Sequence, residues 1–134
     1  MASPLRLVIV TPERTLFDEV VQSLRFPLYD GEIGVLPGRL PVIGRLGTGT
    51  LRVRLPANEE RTFFIDGGFV QISRGVVTLL TQQAIPVDQV SREQAERELA
   101  AARQYQASTD AEFEHKFRQL QRARRLLAMT KHQT

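Results

Sequence analysis

The chain has 134 residues, 42% of them apolar, with 18 basic and 15 acidic side chains that leave a formal charge of +3. That length and apolar content suit one ordinary domain or two small ones, and exclude wholesale disorder. The absence of cysteine excludes a disulfide framework, a thiolate nucleophile and a Cys-based zinc or iron–sulfur site.

The chain opens on strand-like sequence. Leu5, Leu7 and Ile9 alternate with Arg6, Val8 and Val10, and the run Leu7-Val8-Ile9-Val10 is far short of the roughly 20 apolar residues that span a bilayer. With strand sequence from Leu5, no room is left for a signal peptide, so the protein is expected to stay in the compartment where it is made. Leu24, Phe26 and Leu28 alternate with Ser23, Arg25 and Pro27; Leu51, Val53 and Leu55 alternate with Arg52 and Arg54. A period of two with one polar face predicts half-buried antiparallel strands. Turns are predicted at Asp30-Gly31, Gly47-Thr48-Gly49, Ala57-Asn58, Asp66-Gly67-Gly68 and Arg74-Gly75. Phe69–Ile72 and Val76–Leu80, joined by Ser73-Arg74-Gly75, read as a hairpin. Short strands at this spacing predict an antiparallel β-sandwich or flattened barrel over residues 1–86.

A second composition begins near Ser91. Every proline and glycine lies before it, and eight of the eleven alanines after it. Residues 1–90 carry nine basic and nine acidic side chains, so the +3 belongs wholly to the tail. Pro86, Ser91 as a cap and Gln94 three residues on predict a helix from there to about Ala107. Ser108-Thr109-Asp110 predicts a loop and a fresh N-cap, with a second helix from Ala111 to about Met129. Its apolar seam is predicted at Phe113, Phe117, Leu120, Ala123 and Leu127. Residues 87–134 therefore form an antiparallel helical hairpin, held on the first helix by little more than Ala95, Leu99 and Ala102.

Catalytic chemistry finds little support. His115 and His132 lack the spacing of a metal pair and are assigned to the surface. Asp66 reads as a turn former, and Ile43–Thr50, with its three glycines, lacks the Lys-Ser/Thr of a P-loop. No GxSxG motif is present. An independent enzyme, a metal site and a resident cofactor are not expected. The charged feature that remains is the tail after His115, where Lys116, Arg118, Arg122, Arg124, Arg125 and Lys131 meet no acid. They form a cationic surface about 20 Å long on one helix. An acidic protein segment suits it better than nucleic acid, which would want interleaved aromatics, or anionic lipid, which would want a stronger apolar face.

Taken together, these stretches resemble the epsilon subunit of bacterial or plastid F-type ATP synthases, called delta in mitochondria. The resemblance is carried by Leu7–Glu13, by Gly31-Glu32-Ile33-Gly34-Val35-Leu36-Pro37-Gly38-Arg39-Leu40-Pro41, and by Ile65-Asp66-Gly67-Gly68-Phe69-Val70 followed by Val76–Leu80. Arg39 stands where the family commonly has His. The resemblance implies a ten-stranded sandwich bound to the gamma subunit and standing on the c-ring, with Gly31, Glu32, Ile33 and Gly34 as c-ring contacts. It implies a non-catalytic central-stalk role in coupling ion flow to ATP synthesis. It also implies that Lys116, Arg118, Arg122, Arg124 and Arg125 meet an acidic segment of the beta subunit in the catalytic alpha/beta head and oppose ATP hydrolysis. Some members bind ATP through an I/L-D-x-x-R-A motif. Here Ser91 replaces the Asp and Gln94 the Arg, which removes a bidentate phosphate donor, so no high-affinity ATP site is expected. The implied location is the cytoplasmic face of the bacterial inner membrane, peripheral and attached through the complex, with the thylakoid less favoured. The alternative from another class is a β-sandwich adaptor whose basic tail binds RNA or acidic proteins.

Overall fold

The computed structural model describes residues 4–29, 31–35 and 42–130. The chain divides into two compact units, Met1–Pro86 and Val87–Thr134.

The first unit is all strand. In chain order these are β1 (Leu5–Val10), β2 (Thr15–Val21), β3 (Ser23–Leu28), β4 (Gly31–Val35), β5 (Val42–Arg54), β6 (Glu60–Ser73), β7 (Val76–Leu80) and β8 (Ala84–Pro86). They pair in the order β2-β1-β7-β6-β5-β3-β4, with β8 added to β6. All pairs are antiparallel except β1 with β7, which run parallel from Arg6↔Val76 to Val10↔Leu80. Among the described residues β2 and β4 end the path unpaired to each other, so the sandwich is not closed into a barrel. The alternation read from the sequence is the alternation of burial. Leu5, Leu7, Ile9, Leu24, Phe26, Leu51 and Val53 are all no more than 3% exposed and share one core with Leu46, Ile65, Ile72 and Leu79.

Eight strands are found among the described residues rather than the ten implied by the resemblance, because β5 and β6 run unbroken for 13 and 14 residues. The predicted turns at Gly47-Thr48-Gly49 and Asp66-Gly67-Gly68 therefore lie inside strands. Gly47 and Gly68 serve close backbone approach instead, while Gly67 takes a left-handed backbone, φ +73°, with nothing near its missing side chain. A Cβ on Gly47 would sit 2.6 Å from the Leu28 carbonyl oxygen, and one on Gly68, at φ +115°, would sit 1.9 Å from the Leu80 oxygen. Of the turn predicted at Asp30-Gly31, Asp30 lies outside the described residues and Gly31 opens β4, whereas the turns at Ala57-Asn58 and Arg74-Gly75 behave as read. Arg74 and Gly75, at φ 53° and 78°, make a two-residue hairpin turn between Ser73 and Val76, which pair directly. Ala57 and Asn58 are left-handed in a short 3₁₀ turn after β5. Pro27, which cannot donate to the ladder, sits where the β3–β5 register shifts between Arg25 and Leu28.

The second unit holds α1 (Arg92–Gln104) and α2 (Asp110–Thr130), preceded by a 3₁₀ turn at Val87–Gln89. The Ser91 hydroxyl accepts the Gln94 amide at 3.2 Å, the cap predicted for α1. The helix stops at Gln104, three residues before the predicted end. Thr109 caps α2, its hydroxyl accepting the Glu112 amide at 3.2 Å and donating to the Glu112 carboxylate at 3.0 Å. Ser108 donates to the same carboxylate oxygen at 3.1 Å.

One expectation about α2 fails. Its buried side chains are Ala123, Leu126, Met129 and Thr130, whereas Phe113 and Phe117 are each 57% exposed. The apolar residues of α2 wrap more than one face, and an apolar count alone cannot say which stripe meets α1.

Candidate functional surfaces

Gly31, Glu32, Ile33 and Gly34 all lie on β4, an edge strand paired only to β3 among the described residues. Its free edge leaves a row of backbone groups available to another chain. Ile33 is half-buried against the core, and Gly31 and Gly34 are exposed. Glu32 pairs in register with Pro27; what its carboxylate touches lies outside the described structure, as do Leu36–Pro41, the rest of that motif. Gly34 sits opposite Arg25, whose guanidinium would lie 3.8 Å from a Cβ added to the glycine. At that distance a side-chain carbon on residue 34 would make ordinary contact with Arg25, so the strand does not require glycine there for packing.

The basic residues of α2 separate into two groups. The Lys116 ammonium donates to the carbonyl oxygens of Arg103 at 3.1 Å and Tyr105 at 2.9 Å, so it closes the C-terminal end of α1 where the helix leaves carbonyls unpaired. Arg122 Nη1 donates to Glu98 Oε2 at 2.8 Å. Arg118, Arg124 and Arg125 instead face solvent. Sequence places all five cations on one helix, but it cannot show that two of them are engaged within the hairpin. Lys131 and His132 lie outside the described residues. His115 packs beside Tyr105, ring centroids 5.1 Å apart.

The other residues weighed for chemistry are tied into the fold. Thr48 donates to Asp66 Oδ1 at 3.2 Å across β5 and β6, and the Asp66 amide donates to the Gln83 carbonyl. Ser91 is used on the amide of Gln94. Among the described residues no group of three His, Asp or Glu side chains could hold a metal.

A further surface escaped the sequence reading. Ile43, Phe69 and Leu80 are 81%, 59% and 49% exposed on the outer face of neighbouring strands, with Phe69 paired to Leu80 on one side and to Arg45 on the other. Arg45 lies over the Tyr29 ring, 4.4 Å from its centroid. Exposed aromatic, aliphatic and Arg side chains in a row are the composition of a protein-binding surface. The signal available in sequence was Phe69 and Ile43 standing out of phase with the buried Val70, Ile72 and Leu46.

Residues 4–87 match the family model described as ATP synthase, delta/epsilon chain, beta-sandwich domain. The chain is 44% identical over 120 residues to the ATP synthase epsilon chain of Rhodopirellula baltica, covering 90% of this chain and 93% of that one. It is 38% identical to the epsilon chain of Granulibacter bethesdensis, covering 78% of this chain and 77% of the relative. Its fold superposes with TM-score 0.84 on a chain of the Euglena gracilis mitochondrial ATP synthase OSCP/F1/c-ring structure, at 24% identity over 96% of this chain and 82% of that one. A chain of the Tetrahymena thermophila central stalk/c-ring structure gives TM-score 0.77 at 14% identity, covering 96% and 98%.

Proposed function

This chain belongs to the ATP synthase delta/epsilon family, and we propose that it works as the epsilon chain of an F-type ATP synthase, a non-catalytic rotor subunit of the central stalk that couples ion flow through the c-ring to ATP synthesis. The observation that carries this reading is the relationship to the R. baltica epsilon chain across nine-tenths of the sequence, hairpin included.

Within that role the surfaces divide by chemistry. The edge strand Gly31–Gly34 is assigned to the c-ring, since a free strand edge with small residues lets another backbone come close. The outer-face row of Ile43, Phe69 and Leu80 is assigned to the gamma subunit. The solvent-facing cations of α2, Arg118, Arg124 and Arg125, are assigned to an acidic segment of the beta subunit, where they would oppose ATP hydrolysis; Lys116 and Arg122, engaged with α1 in the closed hairpin, would join them only if the hairpin opened. Attachment to the cytoplasmic face of the bacterial inner membrane comes through the complex. No described helix is long and apolar enough to cross a membrane.

Two experiments test the reading. Recovery of gamma and c-ring subunits with the tagged chain supports it, whereas salt-sensitive recovery of RNA alone would favour the adaptor. Replacing Arg118, Arg124 and Arg125 by Ala should raise ATP hydrolysis by the reconstituted head severalfold. Unchanged hydrolysis would remove the inhibitory role.

A further inference from the structure

At 100° per residue, Phe113, Phe117, Leu120, Arg124 and Leu127 fall within an arc of about 80° on α2. Their alternating steps of four and three residues are those of a coiled-coil seam. It is not the face that closes the hairpin. Ala123, Leu126, Met129 and Thr130 are the buried residues of α2, and Arg122, about 180° from Phe113, reaches Glu98 on α1. Along the seam Phe113 and Phe117 are each 57% exposed, Arg124 is exposed, and Leu120 and Leu127 are half-buried. Leaving two phenylalanines in water has a cost that a facing helix would remove.

Charge along α2 identifies that helix. Asp110 and Glu114 flank the start of the seam, Arg124 lies on it near its end, and Arg125 is on the same flank as Glu114. All four are exposed. Glu112 and Arg122 point elsewhere, the first held by Ser108 and Thr109 and the second by Glu98. A helix face that is acidic at one end and basic at the other is complementary to an antiparallel copy of itself. The seam has the symmetry this needs. With a two-fold axis passing between Arg118 and Gln119, Phe117 of one protomer meets Leu120 of its partner, Phe113 meets Arg124, and Asp110 meets Leu127. In that register the Arg124 guanidinium lies against the Phe113 ring with Asp110 about one turn away, and Arg125 comes level with Glu114. A parallel pairing would oppose acid to acid and Arg to Arg. A flat anionic membrane would meet Asp110 and Glu114 as well as the cations.

We propose that the free chain pairs with a second copy of itself through an antiparallel, two-fold contact between the Phe113–Leu127 seams of two closed hairpins. The pairing needs no opening of the hairpin, because Lys116 and Arg122 stay engaged with α1. It occupies Arg124 and Arg125 for as long as the chain is outside an assembly, so the dimer and any complex that uses these cations exclude one another. The seam spans only about four turns, which places the dimer in the weak, concentration-dependent class.

The test is sedimentation velocity of the full chain at low salt, from about 10 to 500 µM. The wild type should form dimers toward the upper end of that range. Phe113→Ala/Phe117→Ala should raise the dimer dissociation constant at least about 10-fold, while hydrogen exchange in α1 and α2 stays as in the wild type. Asp110→Lys/Glu114→Lys leaves the seam flanked by bases at both ends, and Arg124→Glu/Arg125→Glu leaves it flanked by acids. Each charge variant alone should stay monomeric, and an equimolar mixture of the two should dimerise. Direction is read by cross-linking, since the chain has no cysteine of its own. Under mild oxidation Asp110→Cys mixed with Leu127→Cys should give the mixed disulfide, and neither variant alone should cross-link. A wild type that is monomeric throughout, a dimer that the Phe variant leaves intact, or a charge-variant mixture that stays monomeric overturns the proposal. So do charge variants that self-associate alone, and homodisulfides in place of the mixed one.

Discussion

Arg122 Nη1 lies 2.8 Å from Glu98 Oε2 with the two side chains only 17% and 33% exposed, and this pair ties α2 to α1 midway along the hairpin. A pair so placed is less screened than one at the surface, and removing the Glu98 charge takes one acidic partner from an Arg122 side chain only 17% exposed. The alanine-rich α1 contributes little apolar area, so this contact carries weight out of proportion to its size. Glu98→Gln should destabilise the hairpin by about 1–2 kcal/mol. The check is faster amide exchange across α1 and α2 with the sandwich unchanged, and a double-mutant cycle with Arg122→Gln should show the coupling.

Gly68 is the position in the sandwich least able to accept a side chain. At φ +115°, with a Cβ destined for 1.9 Å from the Leu80 oxygen, Gly68→Ala requires β6 and β7 to separate. It should cost about 3 kcal/mol or more and show as a large fall in the thermal midpoint. Gly34→Ala is the contrast, because its backbone is not left-handed and the nearest atom to the added one is the flexible Arg25 side chain at an ordinary contact distance of 3.8 Å. It should melt like the wild type, so any loss of c-ring binding in that variant reports on the contact and not on folding.

The cap of α2 sets a pH response. Hydrogen bonds from the Thr109 and Ser108 hydroxyls hold the Glu112 carboxyl below its ordinary value of 4.5. A carboxylate whose folded value is lowered adds stability that is full above the unfolded value and is lost as pH falls through the folded one. Helicity of α2 should therefore fall on acidification below about 4.5. Thr109→Ala should blunt that response, measured by circular dichroism between pH 6 and 3. A response unchanged in the variant would assign the acid sensitivity elsewhere.

The outer-face row offers a separable binding test. Phe69→Asp should leave the melting temperature of the isolated chain nearly unchanged, since the side chain is 59% exposed. It should nevertheless abolish co-purification with the gamma subunit, because a carboxylate would be trapped in an apolar contact. Retained co-purification would move the gamma contact away from this face.

The sequence by itself determined what is local. Alternation at Leu5–Ile9, Leu24–Phe26 and Leu51–Val53 named the buried residues, because a strand's side-chain period is two whatever it pairs with. Ser91 named the start of α1 and Ser108-Thr109-Asp110 placed that of α2 to within a residue, because a cap bonds an amide only a few residues away. Tertiary structure alone decided the rest. The parallel pairing of β1 with β7 joins segments some seventy residues apart, and nothing in either strand encodes the direction of the other. Gly47 and Gly68 read as turns because glycine suits both a turn and a close approach, and only the neighbouring carbonyls of Leu28 and Leu80 distinguish them. Phe113 and Phe117 were placed in the seam because an apolar residue at helical spacing can face either a neighbouring helix or an absent partner. Which of α2's two stripes meets α1 was settled by contacts across the hairpin, Arg122 with Glu98 and Lys116 with the last carbonyls of α1, and that choice left the aromatic stripe outside.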